Sequence, residues 1–310
     1  MIKQASFLFS VLLSTLALAQ LPVDPLDDQR FVELVRVARY PEAYALTEKE
    51  PARFAHWWAY MTARTVPPWG SNLTPIEAHV RATEWACRYR EFNAEAAAFC
   101  YYEIQLVLRW KDQDPRYPEA LKGVSLPNLT AAEAQQALES LAAKGVSLAV
   151  FRVKRGEESA LKDLAQNRPY SLGGQLAAGA LADILWRRYE GEKAVQYALK
   201  AAGTSASAAG VLAWGEYTGT GVKKNQDTAC RRANFWAVRS LAHSALFTLG
   251  LCYLEGAGGF PKDPIEAYAM FWLAKDAIGG YVGKYLSELE QTLTPEQRLE
   301  GRRRAAKYFQ

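Results

Sequence analysis

The stretch LGLCYLEGAGGFPKDPIEAYAMFWLAKDA occupies Leu249 to Ala277. Two apolar runs at helical spacing flank a glycine-rich connection that contains a proline. Helices commonly end on a residue in the left-handed conformation, which glycine adopts without a Cβ penalty. The stretch therefore predicts a helix, a stop on glycine, and a second helix that runs to Ala277. Leu249-Gly250-x-x-Tyr253-x-x-Gly256-x-Gly258 closes the first helix, and Lys262-Asp263 precedes Ile265-Glu266-Ala267-Tyr268 in the second, which also carries Trp272. The pattern stands once more upstream. Leu212-Ala213 leads to Tyr217, Gly219, Gly221 and Val222, followed by Lys224-Asn225, Ala229 and a helix with Phe235-Trp236. Gly219 to Gly256 and Gly221 to Gly258 are both 37 residues, and Trp236 to Trp272 is 36. One helix pair cannot bury its apolar faces alone, so a two-helix period predicts a stack of pairs, an α-solenoid.

Fainter copies precede these. Tyr189-Glu190-Gly191-Glu192-Lys193-Ala194 and Arg155-Gly156-Glu157-Glu158-Ser159-Ala160 each sit between helical stretches, with Gly156 and Gly191 35 residues apart. Thr74-Pro75-Ile76-Glu77, Thr130-Ala131-Ala132-Glu133 and Thr294-Pro295-Glu296-Gln297 each have the form of a capping box. Alternating strand patterns are absent. The fold class is all-α, a solenoid of antiparallel helix pairs.

The Leu249–Tyr268 motif resembles the Sel1-like repeat, a relative of the tetratricopeptide repeat, and the stretch Gly219-x-Gly221-Val222-Lys223-Lys224-Asn225 is similar to it. Leu293-Thr294-Pro295-Glu296-Gln297 resembles the start of the terminal helix in many such proteins. The first copy departs from the pattern in Ala213, which replaces the helix glycine, and in its tyrosine, shifted to 217. The likeness covers residues 207–307, in a C-terminal region 207–310 of Sel1-like repeats and a terminal helix. The shorter turns of 129–206 are of tetratricopeptide type, and 20–128 is helical without a recognised motif. The resemblance implies a superhelical scaffold that binds a protein or peptide, often in envelope assemblies, and it brings no catalytic residues. Exported cysteine-rich members add a second possibility, the binding of a cell-wall fragment or precursor.

Residues 1–19 read as a secretory signal peptide: Lys3, an apolar run from Phe7 to Leu18, then Ala17-Leu18-Ala19 before a cleavage site near Ala19. The mature chain is expected to be secreted or periplasmic, with no stable membrane insertion. Among 310 residues the net charge is only +4, and lysine and arginine are scattered among acidic residues rather than gathered on a face, which argues against nucleic acid.

Four cysteines in an exported chain suggest disulfides. If 91–93 is a turn between antiparallel helices, Cys87 and Cys100 can face each other; if one helix runs through, they stand roughly 20 Å apart. Cys230 and Cys252 flank a turn around 242–244 and come together in an antiparallel pair. The alternative is four buried thiols.

No metal, cofactor or catalytic residue is expected, and the chain is not read as an enzyme. There is no CxxC pair, no nucleophile elbow, no phosphate or dinucleotide loop, and His56, His79 and His243 lie far apart as ordinary surface or core residues. A wall hydrolase would need two carboxylates across a cleft. Glu77, Glu84, Glu95 and Glu103 are available but read as members of exposed helix faces. Most of the nine tryptophans read as core, and Arg302-Arg303-Arg304 as a solvated face at a helix end.

Overall fold

Thr74, Thr130 and Thr294 each accept a hydrogen bond from the backbone N–H three residues on, and the side chains of Glu77, Glu133 and Gln297 accept one from the threonine N–H. In the computed structural model these boxes start helices α4 (Pro75–Arg88), α7 (Ala131–Ala143) and α16 (Pro295–Lys307). The structure describes residues 25–308 except 65, 67, 68, 70 and 71. The signal peptide and its cleavage point near Ala19 lie outside the described residues. Among these residues there are sixteen helices and no strand. They form two compact units, one up to Gly174 and one from Gln175.

The N-terminal unit contains α1 (Pro25–Arg36), α2 (Tyr40–Lys49), α3 (Ala55–Ala63), α4, α5 (Ala94–Trp110), the single turn α6 (Tyr117–Ala120), α7, α8 (Ser147–Lys154) and α9 (Glu158–Asn167). Most sequential helices pack on each other, the turn α6 packs on α4, and α5 lies against α3, α4, α7 and α8. Phe31, Phe54, Trp57, Met61 and Phe99 are fully buried, with the Phe31 ring 4.8 Å from that of Trp57. Asn93 breaks the α4–α5 run: its side chain accepts from Ala96 N–H at 2.9 Å and donates to the Ala52 carbonyl at 3.1 Å. The break places Cys87 and Cys100 in a disulfide with Cα atoms 4.8 Å apart.

The C-terminal unit takes in nearly all of α10 (Leu172–Arg187), then α11 (Gly191–Ala201), α12 (Ala206–Thr218), α13 (Gln226–Ser240), α14 (His243–Glu255), α15 (Pro264–Thr292) and α16. Helices α12 and α14 both end on left-handed glycines, Gly219 (φ +86°) and Gly256 (φ +72°), and Asn225 and Asp263 cap the helices that follow. Gly221 and Gly258 also have positive φ. Leu249 and Ala267 are fully buried, and a Cβ on Gly250 would stand 2.6 Å from the Phe271 ring, so α14 and α15 cross closely there. Tyr253 packs edge-on against Phe260, Trp236 is buried, and Trp272 is half-buried with Arg302 4.4 Å above its ring. A disulfide joins Cys230 of α13 to Cys252 of α14.

Two details differ from the sequence reading. The helix expected to stop at Ala277 bends at Ile278 (φ −137°, ψ 40°) and runs on to Thr292, which lets Tyr281 stack on Trp186 at 4.3 Å and donate to its carbonyl at 2.8 Å. Arg304 belongs to no solvated face. It donates to Asp263 at 2.7 Å and to Glu266 and Glu300 at 3.2 Å, clamping α16 onto the start of α15.

Candidate binding cleft

Helix α5 presents Phe99, Tyr102, Glu103, Leu106 and Trp110 at spacings of three and four, so they share one face. With Tyr60, Ala63 and Arg64 from α3, His79 from α4, Tyr117 from α6 and Arg152 from α8, this face lines an open cleft of about 310 Å³. The carboxylate sits on an otherwise apolar and aromatic stripe, and that placement calls for partners.

Glu103 finds them. Its side chain is 9% exposed and accepts from His79 Nε2 at 2.7 Å. His79 Nδ1 lies 2.7 Å from the hydroxyl of buried Tyr117. The imidazole thus bridges the two groups, one ring nitrogen on the phenol and the other on the carboxylate. Burial pushes the Glu103 carboxyl up, but the His79 hydrogen bond and the charges of Arg152 and Arg64 outweigh it and leave the group below its ordinary value. Glu103 is thus ionised. Burial and the charges of Glu103 and Asp114 hold the Tyr117 hydroxyl protonated, its pKa above the ordinary phenol value.

Arg152 is the other charged member, 13% exposed. Its guanidinium lies 3.8 Å over the Tyr102 ring, and Nη2 donates to Glu103 Oε1 across 3.5 Å. Its Nε is buried and meets no acceptor among the described residues. Arg64 stands exposed at the rim beside Tyr60, and Trp110 is 43% exposed.

The remaining carboxylates are engaged elsewhere. Glu77 closes the α4 capping box and Glu84 accepts from Ser125 N–H at 3.3 Å. Glu95 caps α8, taking Ser147 N–H at 3.0 Å, Ser147 O–H at 2.6 Å and Leu148 N–H at 2.9 Å. Glu95 and Glu103 are therefore not the exposed helix residues the sequence suggested, because each meets a partner about fifty residues away. His79 likewise is no ordinary core or surface histidine. The 99–110 stripe was the available signal: a carboxylate placed at helical spacing among aromatics. His56 is a core histidine, accepting from Asn93 at 3.2 Å and held by burial down to about 3, and His243 is half-buried with its pKa lowered by burial and by Arg187.

Among the described residues, no group of three or more His, Cys, Asp or Glu side chains is placed to hold a metal ion. No helix there is long and apolar enough to cross a membrane.

The chain is thus a helical-repeat protein built of antiparallel helix pairs. No protein-family model and no curated protein matches it. Solved structures similar to it include two repeat proteins. One is c5321, described as a protective antigen present in uropathogenic Escherichia coli strains and displaying an SLR fold; it is 18% identical over 91% of this chain and 68% of its own, with a TM-score of 0.42. The other is a Sel1 repeat protein from Oxalobacter formigenes, 17% identical over 89% of this chain and 90% of its own, with a TM-score of 0.35.

Proposed function

We propose that the protein is an exported helical-repeat scaffold that binds a protein or peptide partner in the cell envelope, by the cleft of its N-terminal unit, with no catalysis of its own. The observation that carries this reading is the cleft itself. Aromatic walls, a charged rim and a buried polar chain are the ingredients of an interface anchor pocket. The two disulfides suit an oxidising compartment, in keeping with a signal peptide cleaved near Ala19. The repeat motif supplies the stacking surfaces of the C-terminal unit: Gly219, Gly221, Gly256 and Gly258 turn the chain, and Trp236, Leu249, Gly250, Tyr253, Ala267 and Trp272 pack it.

A second reading, a binder of cell-wall precursors or a wall hydrolase, draws on the desolvated Glu103–His79 pair. Among the described residues its hydrolase form finds no second carboxylate in the cleft, and Glu103 sits below its ordinary pKa where a general acid needs the reverse. The test is capture from an envelope extract on the immobilised protein, with the rim variant Trp110→Asp in parallel. A protein retained by the parent and lost from the variant supports the scaffold. Retained or cleaved wall fragments with no protein would defeat it.

A further inference from the structure

We infer that the cleft is a carboxylate receptor: Arg152 takes the carboxylate of a peptide, while Tyr102 and Trp110 flank the residue that bears it. This rests on the reading of the cleft as the peptide site and names the chemistry it selects.

The charge balance comes first. Among the described residues the cleft lining holds two guanidinium groups, Arg64 and Arg152, and one carboxylate, Glu103. A cationic ligand would meet two guanidinium groups. Glu103 does not consume Arg152. Their contact is 3.5 Å, where a charge-assisted N–H···O bond closes to about 2.7–2.9 Å, and Glu103 already has His79 at 2.7 Å. The guanidinium keeps donors to spare, Nε among them, on a side chain only 13% exposed, where a charge it meets counts for more than in water.

Geometry then favours a carboxylate. Stacking over Tyr102 at 3.8 Å fixes the plane of the Arg152 fork, and a fixed planar fork matches two carboxylate oxygens side by side. The helix carrying it is itself held, because Glu95 anchors Ser147 and Leu148 at its start. A cleft of about 310 Å³ with tyrosine and tryptophan walls has room for a short peptide segment beside the anion.

The experiment offers the purified protein two pools of N-acetylated tripeptides, one as free acids and one as C-terminal amides, in equilibrium dialysis with mass-spectrometric readout. The parent should retain acids about tenfold or more over matched amides, the range expected of a hydrogen bond to a charged group. Arg152→Gln should reduce that preference to about twofold. Arg64→Gln, at the exposed rim, should reduce it in part, and Trp110→Ala should weaken acids and amides alike. Equal retention of acids and amides overturns the carboxylate assignment and leaves the peptide site standing. Retention of neither pool overturns both. Displacement of the acids by inorganic phosphate more readily than by acetate overturns the carboxylate in favour of a phosphate. Preference for a D-alanine-terminated wall peptide over every all-L acid keeps the carboxylate chemistry and overturns the protein partner as its source.

Discussion

Glu95→Ala tests how the cleft is held together. Among the described residues the Glu95 carboxylate accepts from the Ser147 N–H, the Ser147 hydroxyl and the Leu148 N–H, at 3.0, 2.6 and 2.9 Å. Both Ser147 and Leu148 are buried, at 2% and 0% exposure, so water replaces the lost acceptor poorly. Losing a helix cap costs about 1 kcal/mol, and each buried donor left unmatched adds about 1–3, not additively, so the variant should lose about 3 kcal/mol. Glu95→Gln keeps one acceptor oxygen and should lose about half as much. Two measurements read this out. Urea unfolding should show the drop in the transition of the N-terminal unit. Hydrogen exchange at Ser147 and Leu148 should lose about a hundredfold in protection, a factor of ten for each 1.4 kcal/mol. Because α8 also carries Arg152, the acid preference of the cleft should fall in the same variant. Loss below about 1 kcal/mol with unchanged exchange would refute the reasoning, since water or a rotated Ser147 would then serve the helix start as well.

Three further outcomes follow from the packing and the charges. Gly250→Ala drives a methyl to 2.6 Å from the Phe271 ring and should cost about 1–3 kcal/mol, partly restored by Phe271→Leu; unchanged melting would show that the crossing is slack. Burial holds His56 neutral in the folded state down to about 3, so on acidification the unfolded chain binds its proton first. Stability should fall by up to about 1.4 kcal/mol per pH unit between roughly 6.5 and 3, and His56→Gln should flatten that slope in urea titrations. Removing either disulfide as a Cys→Ser pair should cost about 3 kcal/mol by loop entropy, slightly more for Cys230–Cys252, whose partners are 22 residues apart against 13; calorimetry of the two double variants gives the comparison.

The solenoid class was legible because its causes are local. A Thr-x-x-Glu box is complete within four residues, and Gly219 and Gly256 take the left-handed conformation for reasons that no distant contact alters. Where the reading fell short, a distant partner intervened. Arg304 looks like one of three solvated arginines until Asp263, 41 positions earlier, is brought to 2.7 Å. The bend at Ile278 is not encoded by a proline within the helix. It coincides with the docking of Tyr281 on Trp186, 95 positions away.

The cleft lies wholly on that second side. Sequence alone determined that the chain would be helix pairs stopped by glycine and capped by threonine, asparagine and aspartate, because capping and left-handed turns involve neighbouring residues. For Glu103 it gave no more than a place on an exposed helix face, although aromatics flank it at helical spacing. Only the tertiary structure decided what that carboxylate does. His79 arrives from 24 positions before Glu103 and Arg152 from 49 after it, so the choice between a solvated surface charge and a buried polar site is made by which helices stack. Burial then does the rest: it makes an unpaired Glu103 too costly to keep, and it gives Arg152 a setting in which a spare donor counts.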